Sequence, residues 1–222
     1  GLGIYAGRLS NRGERIALLR PDDINVPFED LVIVDEVTYG DGDRWGEWTD
    51  GGGSSLELVD PRSDNRSPRN WRGSDESSKS SWITIERTGA LDVGTQDQSH
   101  QFAQTLYVFL AQAGECLVDD IEIIREGEAT NRVTNPGFDS GLAGWIADGT
   151  HWLSTNEVSE GFSSPGSLHV RASGEGSIEG WVGYVFADEV NNISAPLTTP
   201  GLPGEIFTIR AKARWLAGWP YC

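Results

Sequence analysis

The sequence of 222 residues contains no Met, only two Cys and three His, and half as many basic as acidic residues. With 17 Lys and Arg against 34 Asp and Glu, the formal net charge is −17 at pH 7. Binding to nucleic acid or to an anionic membrane surface requires a basic face, so we expect neither kind of partner. No apolar run approaches the roughly 18 residues of a membrane-spanning helix, and we expect no membrane insertion.

The scarcity of Cys and His also limits the chemistry that the chain can perform. Cys116 and Cys222 set no disulfide framework, and the sequence leaves open whether they are free or paired. The three His lie in separate segments, without acidic residues at the spacing of a catalytic triad or a zinc site. No phosphate-binding loop or dinucleotide-binding fingerprint occurs. We therefore predict no catalytic residues and no enzyme activity.

The chain is rich, by contrast, in Gly, Trp and short alternating apolar segments. Its 28 Gly, 10 Pro and 9 Trp are typical of short strands joined by tight turns. Apolar and polar residues alternate with a period of two in many segments, for example at 56–58, 106–110 and 206–213. No window of a dozen residues keeps a helical stripe. These patterns predict an all-β fold with under about a tenth helix.

Composition also suggests where the chain divides. Residues 74–81 read SDESSKSS and are the best candidate for a linker, because they offer no apolar side chain to a core. The predicted domains are therefore 1–73 and 82–222. A weaker boundary divides the second domain into the segments 82–125 and 129–222.

A series of motifs runs in order through residues 9–72. They are Leu9-Ser10-Asn11, Gly13 to Leu18, Val34 to Asp41, Trp45, Asp50 to Leu58, Asp60-Pro61 and Asn70-Trp71. Together they resemble the C-terminal half of the lamin tail domain, an immunoglobulin-like β-sandwich. The resemblance implies an accessory module with no chemistry of its own. Because the N-terminal strands of that family are missing, it also implies an incomplete sandwich in a fragment of a longer chain.

Two further segments share motifs with another kind of sandwich. Residues 128–172 contain Asn131, the run Asn135 to Leu142 (NPGFDSGL), Gly144-Trp145 and Gly166 to Val170; residues 82–124 end on a strand with Val118 to Ile121 (VDDI). These resemble the opening and the closing halves of the jelly roll of carbohydrate-binding modules, a galactose-binding-like β-sandwich. Each half alone leaves strand edges unpaired, so we expect 82–222 to pack as one composite sandwich.

The order of these segments is similar to that of planctomycete-type bacterial envelope proteins. The resemblance implies a location outside the cell or in the cell envelope. It also implies neighbouring domains in the same longer chain.

Three aspartates are the candidate metal ligands. Asp119 and Asp120 lie in the closing strand and Asp139 in the opening motif, and a composite sandwich would bring them together. Calcium prefers carboxylate and carbonyl oxygens, and in related jelly rolls a calcium ion ties the first loop to the last strand. A structural Ca²⁺ is therefore the only cofactor that we consider. The alternative is a set of solvated aspartates that cap a strand.

Two tryptophans are the candidate carbohydrate-binding residues. A flat indole ring can stack on the face of a sugar ring. Trp152 lies in a polar loop and Trp181 in a Gly-rich strand, whereas Trp145 follows the opening motif and is expected in the core. For Trp152 and Trp181 the alternative is also core packing.

These observations lead to a functional prediction with one alternative. We predict a non-catalytic accessory or adhesion module of a larger extracellular bacterial protein, which binds a glycan or another cell-surface component. The alternative is a structural spacer that positions a neighbouring enzyme domain and has no ligand of its own. A third hypothesis, an enzyme in its own right, has no residue pattern behind it. A solvent-exposed aromatic groove would distinguish the first hypothesis from the second.

Overall fold

A computed structural model describes residues 7–22, 31–42, 44–92, 102–177, 181–182, 185–186 and 190–222, the side chains of 181–182 and 185–186 excepted. Strands dominate, and the helical structure of these ranges consists of four short 3-10 turns at Glu47–Thr49, Pro68–Asn70, Ser77–Lys79 and Gly149–His151. The predicted all-β fold is confirmed. Among the described residues, no helix has the length and apolar character needed to cross a membrane.

The chain divides into two compact units, Gly1–Asp75 and Glu76–Cys222. In the first unit, β1 (Glu14–Pro21) pairs with β2 (Leu31–Tyr39), and β3 (Leu56–Leu58) pairs with β4 (Trp71–Gly73), both antiparallel. None of the described residues in this unit is buried. The described strands of the unit therefore form two antiparallel ladders, and the described residues enclose no core.

The described residues of the second unit form ten strands. They are β5 (Ile83–Ala90), β6 (Ala103–Val108), β7 (Gly114–Arg125), β8 (Ile146–Ala147), β9 (Thr155–Glu157), β10 (Ser167–Ala172), β11 (Trp181–Val182), β12 (Val185–Phe186), β13 (Ile193–Gly201) and β14 (Ile206–Gly218). A five-stranded sheet has the order β5-β14-β7-β10-β9, a three-stranded sheet the order β6-β13-β8, and β11 pairs with β12. Strands from 82–125 and from 129–222 are thus neighbours in both larger sheets.

One hydrophobic core joins the two larger sheets of the second unit. Its fully buried members include Leu168 and Val170 of β10 and Ile193 of β13. Phe138, from the loop before β8, is also fully buried and packs against Trp145, with ring centroids 5.1 Å apart. Burying each large apolar side chain contributes about 1.5–3 kcal/mol, so this core is the main source of stability in the unit.

A β-bulge in β7 explains how two consecutive aspartates leave the regular pattern of that strand. Arg210 of β14 pairs with Glu122, and Lys212 pairs with Asp119, so β7 contains one extra residue between these pairs. Asp120 lies in the bulge and has a left-handed φ of 47°. The alternation of buried and less buried residues therefore shifts by one position across the bulge, as in other β-bulges. Asp119 and Asp120 contact the neighbouring loop at 162–163.

The polar segment 74–81 is anchored in its second half. Residues 77–79 form a 3-10 turn, and the Arg214 guanidinium of β14 donates hydrogen bonds to the carbonyls of Ser77 (2.5 Å) and Ser80 (3.2 Å). Glu76 is buried and pairs with Lys79 at 2.5 Å. Residues 77–80, which composition suggested as part of a linker, are thus held by polar contacts with β14. The local sequence gives no sign of these contacts, because their donor, Arg214, is more than 130 residues away.

Candidate functional site

An open groove of about 650 Å³ lies beside the 3-10 turn Gly149–His151 in the second unit. Its lining residues are Asp148, Gly149, Thr150, Trp152, Ser173, Val190 and Asn191. The Trp152 side chain is 65% exposed, so it presents its ring to solvent. The volume lies within the range of small-molecule sites. This part of the structure therefore resolves the open question about Trp152, which is not a core residue.

The close approach of two backbone segments fixes the turn that carries Trp152. Gly149 has a φ of +57°, and a Cβ there would lie 2.1 Å from both Asn191 Oδ1 and the Val190 carbonyl oxygen. Asn191 Oδ1 accepts a hydrogen bond from the Thr150 amide at 2.9 Å. Only glycine permits both this conformation and this proximity. The Trp152 turn is consequently locked to the 190–191 segment.

His151 secures the turn from the interior. Its side chain is fully buried, and Nε2 accepts a hydrogen bond from the Leu110 amide at 2.9 Å. Nδ1 therefore carries the proton and donates to Thr150 Oγ1 at 3.1 Å, while this hydroxyl donates to the Glu175 carbonyl at 3.2 Å. Burial lowers the pKa of His151 to about 4, so the ring is neutral near pH 7.

The groove also offers polar groups that a ligand could use. Within the described ranges, the Asp148 carboxylate and the Asn191 Nδ2 atom form no hydrogen bond with the protein. A carboxylate accepts hydrogen bonds and an amide nitrogen donates them, as the hydroxyl groups of a sugar require. An exposed indole with such groups nearby can bind the apolar face and the polar edge of one sugar ring.

The second tryptophan candidate is described only by its backbone. Trp181 of β11 pairs with Phe186 of β12, and the segment containing this hairpin begins and ends at a bridge between Ser177 and Asn191. Asn191, one of the two bridge residues, also lines the groove. The Trp181 side chain lies outside the described part of the structure, and its proposed role stays a prediction. Trp145, expected in the core, is buried.

The three candidate metal ligands meet around Gly137. A Cβ added to Gly137 would lie 3.7 Å from Asp119 Oδ1, 3.8 Å from Asp120 Oδ1 and 3.8 Å from Asp139 Oδ2. The Ile121 amide also donates to the Pro136 carbonyl at 3.0 Å and ties the β7 bulge to this loop. We refer to Asp119, Asp120 and Asp139 as the carboxylate cluster. The fold brings its members together from two distant segments.

Hydrogen-bond donors already satisfy much of the carboxylate cluster. Asp119 is fully buried, and its two oxygens accept hydrogen bonds from the Phe162 and Asp120 amides, each at 2.7 Å. Ser163 Oγ donates to Asp120 Oδ2. Burial raises the pKa of Asp119, the two amides oppose this shift, and the charges of Asp120 and Asp139 add to it. Among the described side chains, no three His, Cys, Asp or Glu are arranged to hold a metal ion by themselves.

Sequence reasoning missed most of the groove. Asp148-Gly149 is a turn signal that could have marked the position of the 3-10 turn. Ser173 and Asn191 had no local signal, because they reach the groove only through the pairing of distant segments.

No family model, curated protein or solved structure matches the chain. The fold and the site define an all-β protein whose second unit presents an exposed tryptophan in a polar groove and a carboxylate cluster in which Asp119 is buried and Asp139 is exposed. Its function must be inferred from these residues.

Proposed function

We propose that the chain is a non-catalytic, glycan-binding module of an extracellular or cell-envelope bacterial protein, and that the Trp152 groove is its binding site. The exposed Trp152 ring carries this proposal. Leaving a large apolar side chain in water forgoes on the order of 2 kcal/mol of burial free energy. A sugar ring that stacks on Trp152 would recover part of it. The rigid turn adds little ordering entropy to the cost of binding.

We also propose a specific type of β-sandwich for each of the two units. We propose a galactose-binding-like jelly roll for the second unit, on the basis of two antiparallel sheets that share one core. For the first unit we propose the C-terminal half of a lamin-tail sandwich. Support comes from β1 and β2, where Leu18, Ile33 and Val34 are 62%, 52% and 52% exposed, as expected of apolar strand residues in half a sandwich.

A glycan array tests the functional proposal. We expect the full chain to bind a restricted set of glycans, and a Trp152→Ala variant to weaken that binding by about tenfold or more, because a stacking Trp typically contributes at least about 1.4 kcal/mol. Leu153→Ala is the matched control. Leu153 is 48% exposed and adjacent in sequence but does not line the groove, so its replacement should leave the affinity unchanged.

Two outcomes of the array would count against the groove. Equal weakening by the Trp152 and Leu153 substitutions would place the site elsewhere. Absence of binding to any glycan would favour the alternative of a structural spacer.

We also propose that the carboxylate cluster binds a structural calcium ion with the help of backbone carbonyl oxygens, which calcium accepts readily as ligands. Three carboxylates around one point repel one another, and a cation would relieve the repulsion. The left-handed φ values of Asp120, Asn135 and Phe138 (47°, 49° and 55°) support this proposal, because such strain concentrates at functional sites.

Calcium is then expected to raise the Tm of the chelator-treated protein by about 5 °C at saturation, because it binds the folded state preferentially. Asp120→Asn and Asp139→Asn should each abolish this increase, as measured by differential scanning calorimetry. Glu126→Gln is the control, since it removes an exposed carboxylate outside the cluster. An unchanged Tm in the wild-type protein would show that the amide and hydroxyl donors alone hold the cluster.

A further inference from the structure

The C-terminal residues lie along the loop between β6 and β7. The Ala111 amide donates to the Tyr221 carbonyl at 3.0 Å, and the Trp219 amide donates to the Ala113 carbonyl at 2.9 Å. A Cβ at Gly114 would lie 2.8 Å from the Trp219 nitrogen, so glycine permits this approach. Backbone contacts thus place residues 219–221, directly before Cys222.

This path brings the two cysteines of the chain together. Cys116 lies in β7, paired with Trp215 of β14 and Val170 of β10, and is buried. The thiols of Cys116 and Cys222 are hydrogen-bonded to each other, and the Phe109 amide donates to the Cys222 sulfur. Cys222 as a residue is exposed, while its thiol is buried beside Cys116, so the sulfur lies close beneath the surface.

The environment gives the two thiols different roles. The hydrogen bond with Cys222 and burial raise the pKa of the Cys116 thiol. The hydrogen bond from Cys116, supported by the Phe109 amide, lowers the pKa of the Cys222 thiol against the opposing effect of burial. Because the thiolate is the nucleophile, this difference favours Cys222 over Cys116 as the thiol that attacks an oxidant.

We propose that Cys116 and Cys222 form an intramolecular disulfide that fastens residues 219–222 to β7. Each bond change follows thiol–disulfide exchange with a small-molecule disulfide such as glutathione disulfide. The Cys222 thiolate attacks one glutathione sulfur, forms a mixed disulfide and releases one glutathione thiolate. Cys116 then loses its proton to solvent and attacks the Cys222 sulfur, which releases the second glutathione. Two protein thiols are oxidised and one glutathione disulfide is reduced.

The test compares the reduced full chain with the same chain treated with glutathione disulfide. We expect the treated protein to lose the mass of two hydrogen atoms and to take up no alkylating label after denaturation. Its Tm should rise by about 10 °C, because the bond closes a long loop. Cys222→Ser is the control: it leaves the buried Cys116 in place, and its Tm should not respond to the redox treatment.

Three results would overturn the proposal. The first is a folded, treated protein in which both cysteines still take up the label. The second is a stable glutathione adduct on Cys222 with a free Cys116 thiol. The third is a disulfide-linked dimer in place of the monomeric product.

Discussion

A Gly149→Ala variant is expected to lose about 3 kcal/mol or more of its free energy of unfolding, together with its affinity for glycans. A left-handed φ costs a non-glycine residue roughly 1–2 kcal/mol. The added Cβ would also lie 2.1 Å from Asn191 Oδ1 and from the Val190 carbonyl. Both segments would have to separate, and the hydrogen bond between Thr150 and Asn191 would be lost. Urea unfolding measures the first effect, and glycan titration measures the second.

Gly141→Ala is the matched control for this substitution. Gly141 has a φ of +66°, and a Cβ there would meet nothing within 4 Å. Its replacement should cost only about 1 kcal/mol, which is the conformational part alone. Similar losses for the two variants would show that the packing of residues 190–191 against the turn is not what the structure indicates.

The free energy of unfolding is expected to fall as pH decreases from 6.5 to 4, by up to about 3 kcal/mol from His151 alone. Burial lowers the pKa of His151 from 6.5 to about 4 in the folded protein. Across this window the unfolded chain binds a proton that the folded chain rejects, so stability is complete above pH 6.5 and is lost as pH falls through 4. Protonation of Nε2 would also replace the hydrogen bond from the Leu110 amide with two N–H groups that face each other.

His151→Gln separates this contribution from the many carboxylates that titrate nearby. A glutamine carbonyl can still accept the hydrogen bond from the Leu110 amide but has no proton to gain. The difference in unfolding free energy between wild type and variant should therefore shrink as pH falls from 6.5 to 4. A difference that stays constant across the window would contradict the neutral, buried His151.

The sequence predicted the all-β class because alternation is a local property of each strand. In β7, the apolar residues Ile121 and Ile123 alternate with polar or less buried neighbours, whereas the run Cys116 to Asp119 is buried throughout. The pattern changes at Asp120, and no local rule predicts a bulge there. Its position depends on the pairing of Arg210 with Glu122 and of Lys212 with Asp119, which is a long-range contact.

The candidate site was predictable only in part, for the same reason. Trp152 could be nominated because it lies in a polar loop with no apolar alternation around it. Its neighbour Asn191 comes from a remote segment, and the contact depends on Gly149 having no side chain. The proximity of Cys116 and Cys222 also arises from the path of residues 219–222 over the β6–β7 loop, which composition cannot reveal.

The most direct test of the central proposal is an NMR titration of the full chain with a glycan that the array identifies. We predict that amide chemical-shift changes concentrate at Thr150, Ser173 and Asn191, around the Trp152 indole, and that they disappear in Trp152→Ala. Changes confined to other residues, or the same changes in the variant, would contradict a glycan-binding site at Trp152.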